Sequence, residues 1–139
     1  MVIRLNTLRD FILLNGFFDM GTLLGMVRDG KLLKRDMDID TGIYIDSKKG
    51  KKEFRDLLTG AGFKHKFIFS VDKIGDVLDT FYFKGIRIDV CYYEKERDRD
   101  CCYLFYGEDG IEKVVRLYNS KIEKVVKFDF LGIMVNVPE

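Results

Sequence analysis

Asp38-Ile39-Asp40-Thr41-Gly42-Ile43-Tyr44-Ile45 is the stretch on which the reading of this chain turns. Its isoleucines Ile39, Ile43 and Ile45 share one parity, while Asp38, Asp40, Gly42 and Tyr44 share the other. A strand has a side-chain period of two, so this pattern predicts a half-buried strand with an apolar face and a carboxylate face. Asp38 and Asp40 then project from the same side, about 7 Å apart at Cα.

Working outward, Leu5, Leu8, Phe11 and Ile12 recur at helical spacing, and Asn15-Gly16 supplies a stop. Phe17 and Phe18 follow as a short extended piece. Gly21-Thr22-Leu23-Leu24-Gly25-Met26-Val27 reads as a turn opening a second helix, which Asp29-Gly30-Lys31 breaks. Downstream, Phe54, Leu57, Leu58 and Ala61 mark an amphipathic helix over Lys49 to Ala61. Beyond it the chain looks extended: candidate strands are Phe63 to Ser70, Val77 to Lys84, Ile86 to Tyr93, Cys101 to Tyr106, Val125 to Phe130 and Ile133 to Val137. Lys84-Gly85 is a tight hairpin corner, and Glu94 to Asp100 (EKERDRD) reads as a solvated loop. His65, the only histidine, alternates with Phe63, Phe67 and Phe69 along one strand and reads as structural or surface-exposed. Helices early and strands late predict an α+β domain, with a mixed or antiparallel sheet, helices mainly on one face and the other face free for chemistry.

The 139 residues, 47% of them hydrophobic, suit one domain spanning 1–139. Lysine plus arginine (24) nearly cancel aspartate plus glutamate (23), which argues against general nucleic-acid binding. No uninterrupted apolar stretch reaches transmembrane length, so a cytoplasmic protein without a transmembrane segment is the expectation. Cys91, Cys101 and Cys102 lack zinc-ligand spacing and read as core residues.

Asp89 repeats the pattern of the first strand: Ile86, Ile88 and Val90 alternate with Arg87, Asp89 and Cys91. If the two strands are near neighbours, Asp38, Asp40 and Asp89 converge. Three such carboxylates repel one another without cations, and oxygen-only ligation suits Mg²⁺ or Mn²⁺. Alternating aspartates taken alone also describe a solvated strand edge. The surroundings add weight: Gly21-Thr22 stands at a predicted helix start, where free N–H groups can receive a phosphate. Arg28, Lys34 and Arg35 fall between that turn and the aspartates, in position to pair with phosphate oxygens, although Lys34 and Arg35 taken singly read first as ordinary surface charge.

The run Gly21-Thr22-Leu23-Leu24-Gly25-Met26-Val27-Arg28, followed by Asp38-Ile39-Asp40, resembles the signature of the LicD and fukutin family, the phosphocholine-transferase branch of the DNA polymerase β-like nucleotidyltransferases. Ile88-Asp89-Val90 resembles that superfamily's third-carboxylate strand, and Phe130 to Pro138 resembles the family's strand leading into a VP dipeptide. The resemblance implies a nucleotidyltransferase-like fold. It also implies transfer of a phospho-substituted group, such as phosphocholine or an alditol phosphate, from a CDP-activated donor to a glycan hydroxyl. Gly21 and Thr22 would bind donor phosphates, Arg28 would steady donor charge, Asp38 and Asp40 would hold metal, and Asp89 would complete the site and assist deprotonation of the acceptor. The family usually carries a tryptophan or proline just before its aspartates, where this chain has Lys34-Arg35, and usually continues past the VP dipeptide, so a member short at its C-terminus is expected.

Other readings fit less well. Asp36 to Asp40 starts like an EF-hand, but Gly42 comes one position late and Ser47 stands where glutamate is needed. Asp40-Thr41-Gly42 echoes an aspartic protease, and DxDxT a haloacid dehalogenase-like phosphatase, yet the charged residues before Asp38 suit neither. The two alternatives carried forward are a nucleotidyltransferase moving a nucleoside monophosphate to a protein or small molecule, and a non-catalytic nucleotide-binding remnant. The oligomeric state is left open.

Overall fold

A computed structural model of the protein describes residues 16–31, 38–108, 111–120, 125–130 and 133–138. The helix expected between Leu5 and Asn15 lies outside the described residues, as do Lys34 and Arg35. The elements run β1 (Gly16–Phe18), α1 (Met20–Leu24), β2 (Asp38–Ile43), α2 (Lys48–Gly60), β3 (Lys64–Val71), β4 (Gly75–Phe83), β5 (Ile86–Tyr92), β6 (Glu94–Lys95), β7 (Arg99–Glu108), β8 (Ile111–Ser120), β9 (Val125–Phe130) and β10 (Ile133–Pro138). The fold is α+β. Its centre is a five-stranded mixed sheet of order β1-β2-β5-β4-β3, in which β2 and β5 are parallel and the other pairs antiparallel. A three-stranded sheet, β6-β7-β8, and the β9–β10 hairpin accompany it.

The predicted alternation of β2 and β5 is what the structure shows. Ile39, Ile43, Ile88 and Val90 enter one core cluster with Phe54 and Leu58 of α2, Phe63, Phe81, and Val135 and Val137 of β10. Ser47 caps α2, its hydroxyl accepting from the N–H of Gly50 at 2.9 Å, which starts the helix one residue before the expected Lys49. Lys84 and Gly85, at φ 47° and 84°, make the tight corner between β4 and β5 that a two-residue hairpin with positive φ requires. Helix α1 straddles the sheet's end: Leu23 packs on the first cluster and Met20 on a second. Past Leu24 it widens into a π turn over Gly25–Asp29, closed by Gly30 in the left-handed region.

That second cluster corrects the expectation of an open face. On the carboxylate side of the sheet, Phe17, Leu78, Cys91, Tyr93 and Cys102 are buried together. The EKERDRD segment is likewise more than a solvated loop, because Glu94 and Lys95 pair with Cys101 and Asp100. Asp100 is fully buried and accepts from the Tyr44 hydroxyl at 2.8 Å. The cleft on this face lies at the end where Asp38 and Asp40 begin β2.

Gly42 marks the boundary between the two halves. A Cβ there would meet Phe17 and Tyr93 ring carbons at 2.7 Å. Both rings are buried and lie edge to face, 5.2 Å apart, so neither can swing aside cheaply. Gly42→Ala is expected to cost about 1–3 kcal/mol, read as a lower denaturation midpoint with an unchanged slope.

Three tyrosines anchor to buried or half-buried carboxylates: Tyr44 donates to Asp100, Tyr92 to Asp79 at 2.5 Å, and Tyr93 to Asp19. Burial first, and the facing carboxylate second, raises all three phenol pKa values above their ordinary value. A raised folded-state pKa means that the neutral phenol stabilises the fold fully below about pH 10, and that this contribution drains away as the pH climbs past it. The urea midpoint is thus expected to fall steeply between pH 9 and pH 11, and less steeply in Tyr93→Phe.

Candidate active site

The parallel pairing of β2 with β5 sets Asp40 directly beside Asp89 and Asp38 beside Arg87. Because the two strands run in phase, residues of matching parity share a face, and the carboxylates project together. One oxygen from each of Asp38, Asp40 and Asp89 lies within 4.8 Å of the others. Asp38 and Asp40 are half-buried, and Asp89 is 7% exposed. They open into a cleft of about 240 Å³, closed by Met20, Phe69, Leu78 and Cys91 and shared with Arg87.

Asp89 is held from two sides. The Thr80 hydroxyl, directly across on β4, donates to its Oδ1 at 2.6 Å, and Arg87 Nε reaches Oδ1 and Oδ2 at 3.1 and 3.2 Å. Burial works to lower the pKa of Arg87, but the hydrogen bond and charge of Asp89 outweigh it and raise it. Burial likewise pushes the neighbouring Cys91 thiol far up. The backbone of Asp40 is fixed as firmly: its N–H donates to Thr22 Oγ1 at 2.9 Å, and its carbonyl accepts from Asp19 N at 3.1 Å. The Thr41 hydroxyl donates to the Asp89 carbonyl at 3.0 Å, locking the two carboxylate strands in register.

The other residues singled out in the sequence fare differently. Gly21 and Thr22 do lie in α1, but Thr22 is buried and its hydroxyl tethers the aspartate strand at Asp40. Arg28 ends the π turn with its side chain 58% exposed, pairs with Asp29 at 2.8 Å, and does not line the cleft. The cation that the described residues bring to the carboxylates is Arg87. Its signal was present in the sequence, two residues before Asp89 on the same strand face. Thr80 could not be found that way, because only the antiparallel register of β4 on β5 places it.

Chemically, the cleft offers three hard oxygen donors, a guanidinium fork for anions and apolar walls. Among the described residues no helix is long and apolar enough to cross a membrane. No curated protein matches the chain significantly. The family model described as LicD/FKTN/FKRP, nucleotidyltransferase domain, matches residues 14–139, taking in both aspartate strands, α1 and the closing hairpin. The chain therefore belongs to the LicD/FKTN/FKRP family as its nucleotidyltransferase domain, a membership that suggests a transferase of phosphocholine-type groups.

Proposed function

We propose that the protein transfers a phospho-substituted group, of the phosphocholine or alditol phosphate kind, from a CDP-activated donor to a glycan hydroxyl. The observation that carries this reading is the convergence of Asp38, Asp40 and Asp89 within 4.8 Å in a cleft that also holds Arg87. An all-carboxylate donor set fits Mg²⁺ or Mn²⁺, and Asp38, Asp40 and Asp89 would hold the ion. When bound, it supplies charge neutralisation and polarisation at phosphorus.

The chain's own groups account for the rest. Arg87 presents its guanidinium to non-bridging phosphate oxygens, taking the part that the sequence assigned to Arg28. Thr80 holds the Asp89 carboxylate and Thr22 the backbone of Asp40, so that little reorganisation is needed when donor binds. Gly21, next to Thr22 in α1, would let a donor phosphate approach the backbone closely. The acceptor hydroxyl forms the new P–O bond as the bond to the nucleotide leaving group breaks, and its proton passes to a cleft carboxylate.

Thermal melting with Mg²⁺ or Mn²⁺ against CTP, CDP-choline, ATP, GTP and UTP tests this, since a ligand that binds only the native state raises the melting temperature. Metal-dependent stabilisation by cytidine nucleotides is expected. Preference for another nucleotide would favour nucleotidyl transfer, and no shift with any pair would mark a domain without this chemistry.

A further inference from the structure

Edge strand β3 carries an aromatic pair whose placement the transfer chemistry has not used. Phe67 is 46% exposed, and its ring centroid lies 6.2 Å from that of Phe69, which walls the carboxylate cleft. Other large apolar side chains are exposed as well, and what sets Phe67 apart is its place next to a ring of the cleft wall.

The local backbone turns both residues to the carboxylate side of the sheet. Lys64 pairs with Tyr82 and His65 with Phe81, but the next pair is Phe67 with Thr80, so Lys66 is a bulge. Without that bulge Phe67 would stand opposite Asp79, on the face covered by α2. With it, Phe67 joins the row Asp40, Asp89, Thr80, and Phe69 joins the row of Cys91 and Leu78. Bulges that re-aim a side chain next to an active site are a recurrent device. Phe67 is two strands from Asp89 along this row, about 10 Å at ordinary strand spacing. That gap suits a sugar and a phosphate between a flat ring stacked on Phe67 and a phosphoryl group at the carboxylates.

We propose that Phe67, backed by Phe69, is the stacking platform for the base of the nucleotide donor, an inference that rests on the donor being a nucleotide. Stacking is tolerant of base identity, so the platform supplies affinity and leaves the choice of base to other groups.

The test is calorimetric titration with Mg²⁺ of CDP and of inorganic pyrophosphate, which keeps the diphosphate and lacks the base. Wild type is expected to bind CDP more tightly than pyrophosphate. Phe67→Ala and Phe67→Leu should weaken CDP about tenfold and leave pyrophosphate unchanged, while Phe67→Tyr retains the wild-type affinity. Phe67→Leu keeps apolar bulk, which separates loss of the aromatic face from loss of packing. Unchanged CDP binding in both variants, or equal losses for the two ligands, would overturn the platform with the donor reading intact. Failure of the wild type to bind either ligand would overturn the donor reading and the platform with it.

Discussion

Asp40→Ala is expected to abolish metal-dependent transfer, by a factor of at least about a thousand, while the protein stays folded. The activity loss follows from deleting one of three oxygen donors, for which about 4 kcal/mol of transition-state stabilisation is a modest expectation. Asp40 is half-buried on the face away from the isoleucines, and the backbone of its strand is held by the N–H to Thr22, the carbonyl to Asp19 and the ladder to β5. Alanine keeps all of these. It also removes one of three like charges within 4.8 Å, a repulsion the metal-free protein must tolerate. The expected result is therefore a cooperative melt without metal, and loss of the rise expected of the wild type with Mg²⁺ or Mn²⁺. Asp38→Ala should behave alike. A double Asp38→Ala, Asp40→Ala protein that still transfers would sink the mechanism.

The carboxylates were legible because their signal is local. A strand of period two announces its faces in five or six residues, and Ile39, Asp40, Ile43 on one strand and Ile88, Asp89, Val90 on another declare which side bears the carboxylates. The conditional step was that the two strands be neighbours, and the parallel pairing of Asp40 with Asp89 supplies it. Thr22 shows the limit of such reading. Its position beside a glycine at a helix start spoke of phosphate, whereas its hydroxyl accepts the Asp40 N–H eighteen residues away, a bond no local pattern reveals.

Strand β3 shows a different limit. Phe63, His65, Phe67 and Phe69 alternate without a break in the sequence, a pattern that predicts one shared face. The bulge at Lys66 inverts the phase midway: Phe63 joins the core under α2 and His65 faces Asp79, while Phe67 and Phe69 cross to the cleft side. Periodicity carries no information about an inserted residue, because a bulge is chosen by the partner strand. Strand β8 escaped for a simpler reason. Ile111–Ser120 mixes charged and apolar residues in no clean alternation, so periodicity does not mark it as a strand.

Asp79 is the residue whose weight only the fold discloses, and Asp79→Ala is expected to cost about 3–5 kcal/mol of stability. It is fully buried on β4, and its two oxygens accept from Arg55 of α2 at 2.9 Å and from the Tyr92 hydroxyl at 2.5 Å, with His65 Nε2 at 2.8 Å. Arg55 is 15% exposed and also bonds Asp76, so alanine at 79 leaves a guanidinium under the helix with half its partners gone. The loss should appear as a lower urea midpoint. Pairing Asp79→Leu with Arg55→Met should recover much of it, since removing both charges avoids stranding either one. The effect should reach the cleft as well. Thr80 follows Asp79 on the same strand and points the other way, its hydroxyl orienting Asp89. A β4 that loosens from α2 on one face therefore loosens the third carboxylate on the other, and metal affinity in Asp79→Ala should fall although the residue lies on the opposite side of the sheet from the cleft.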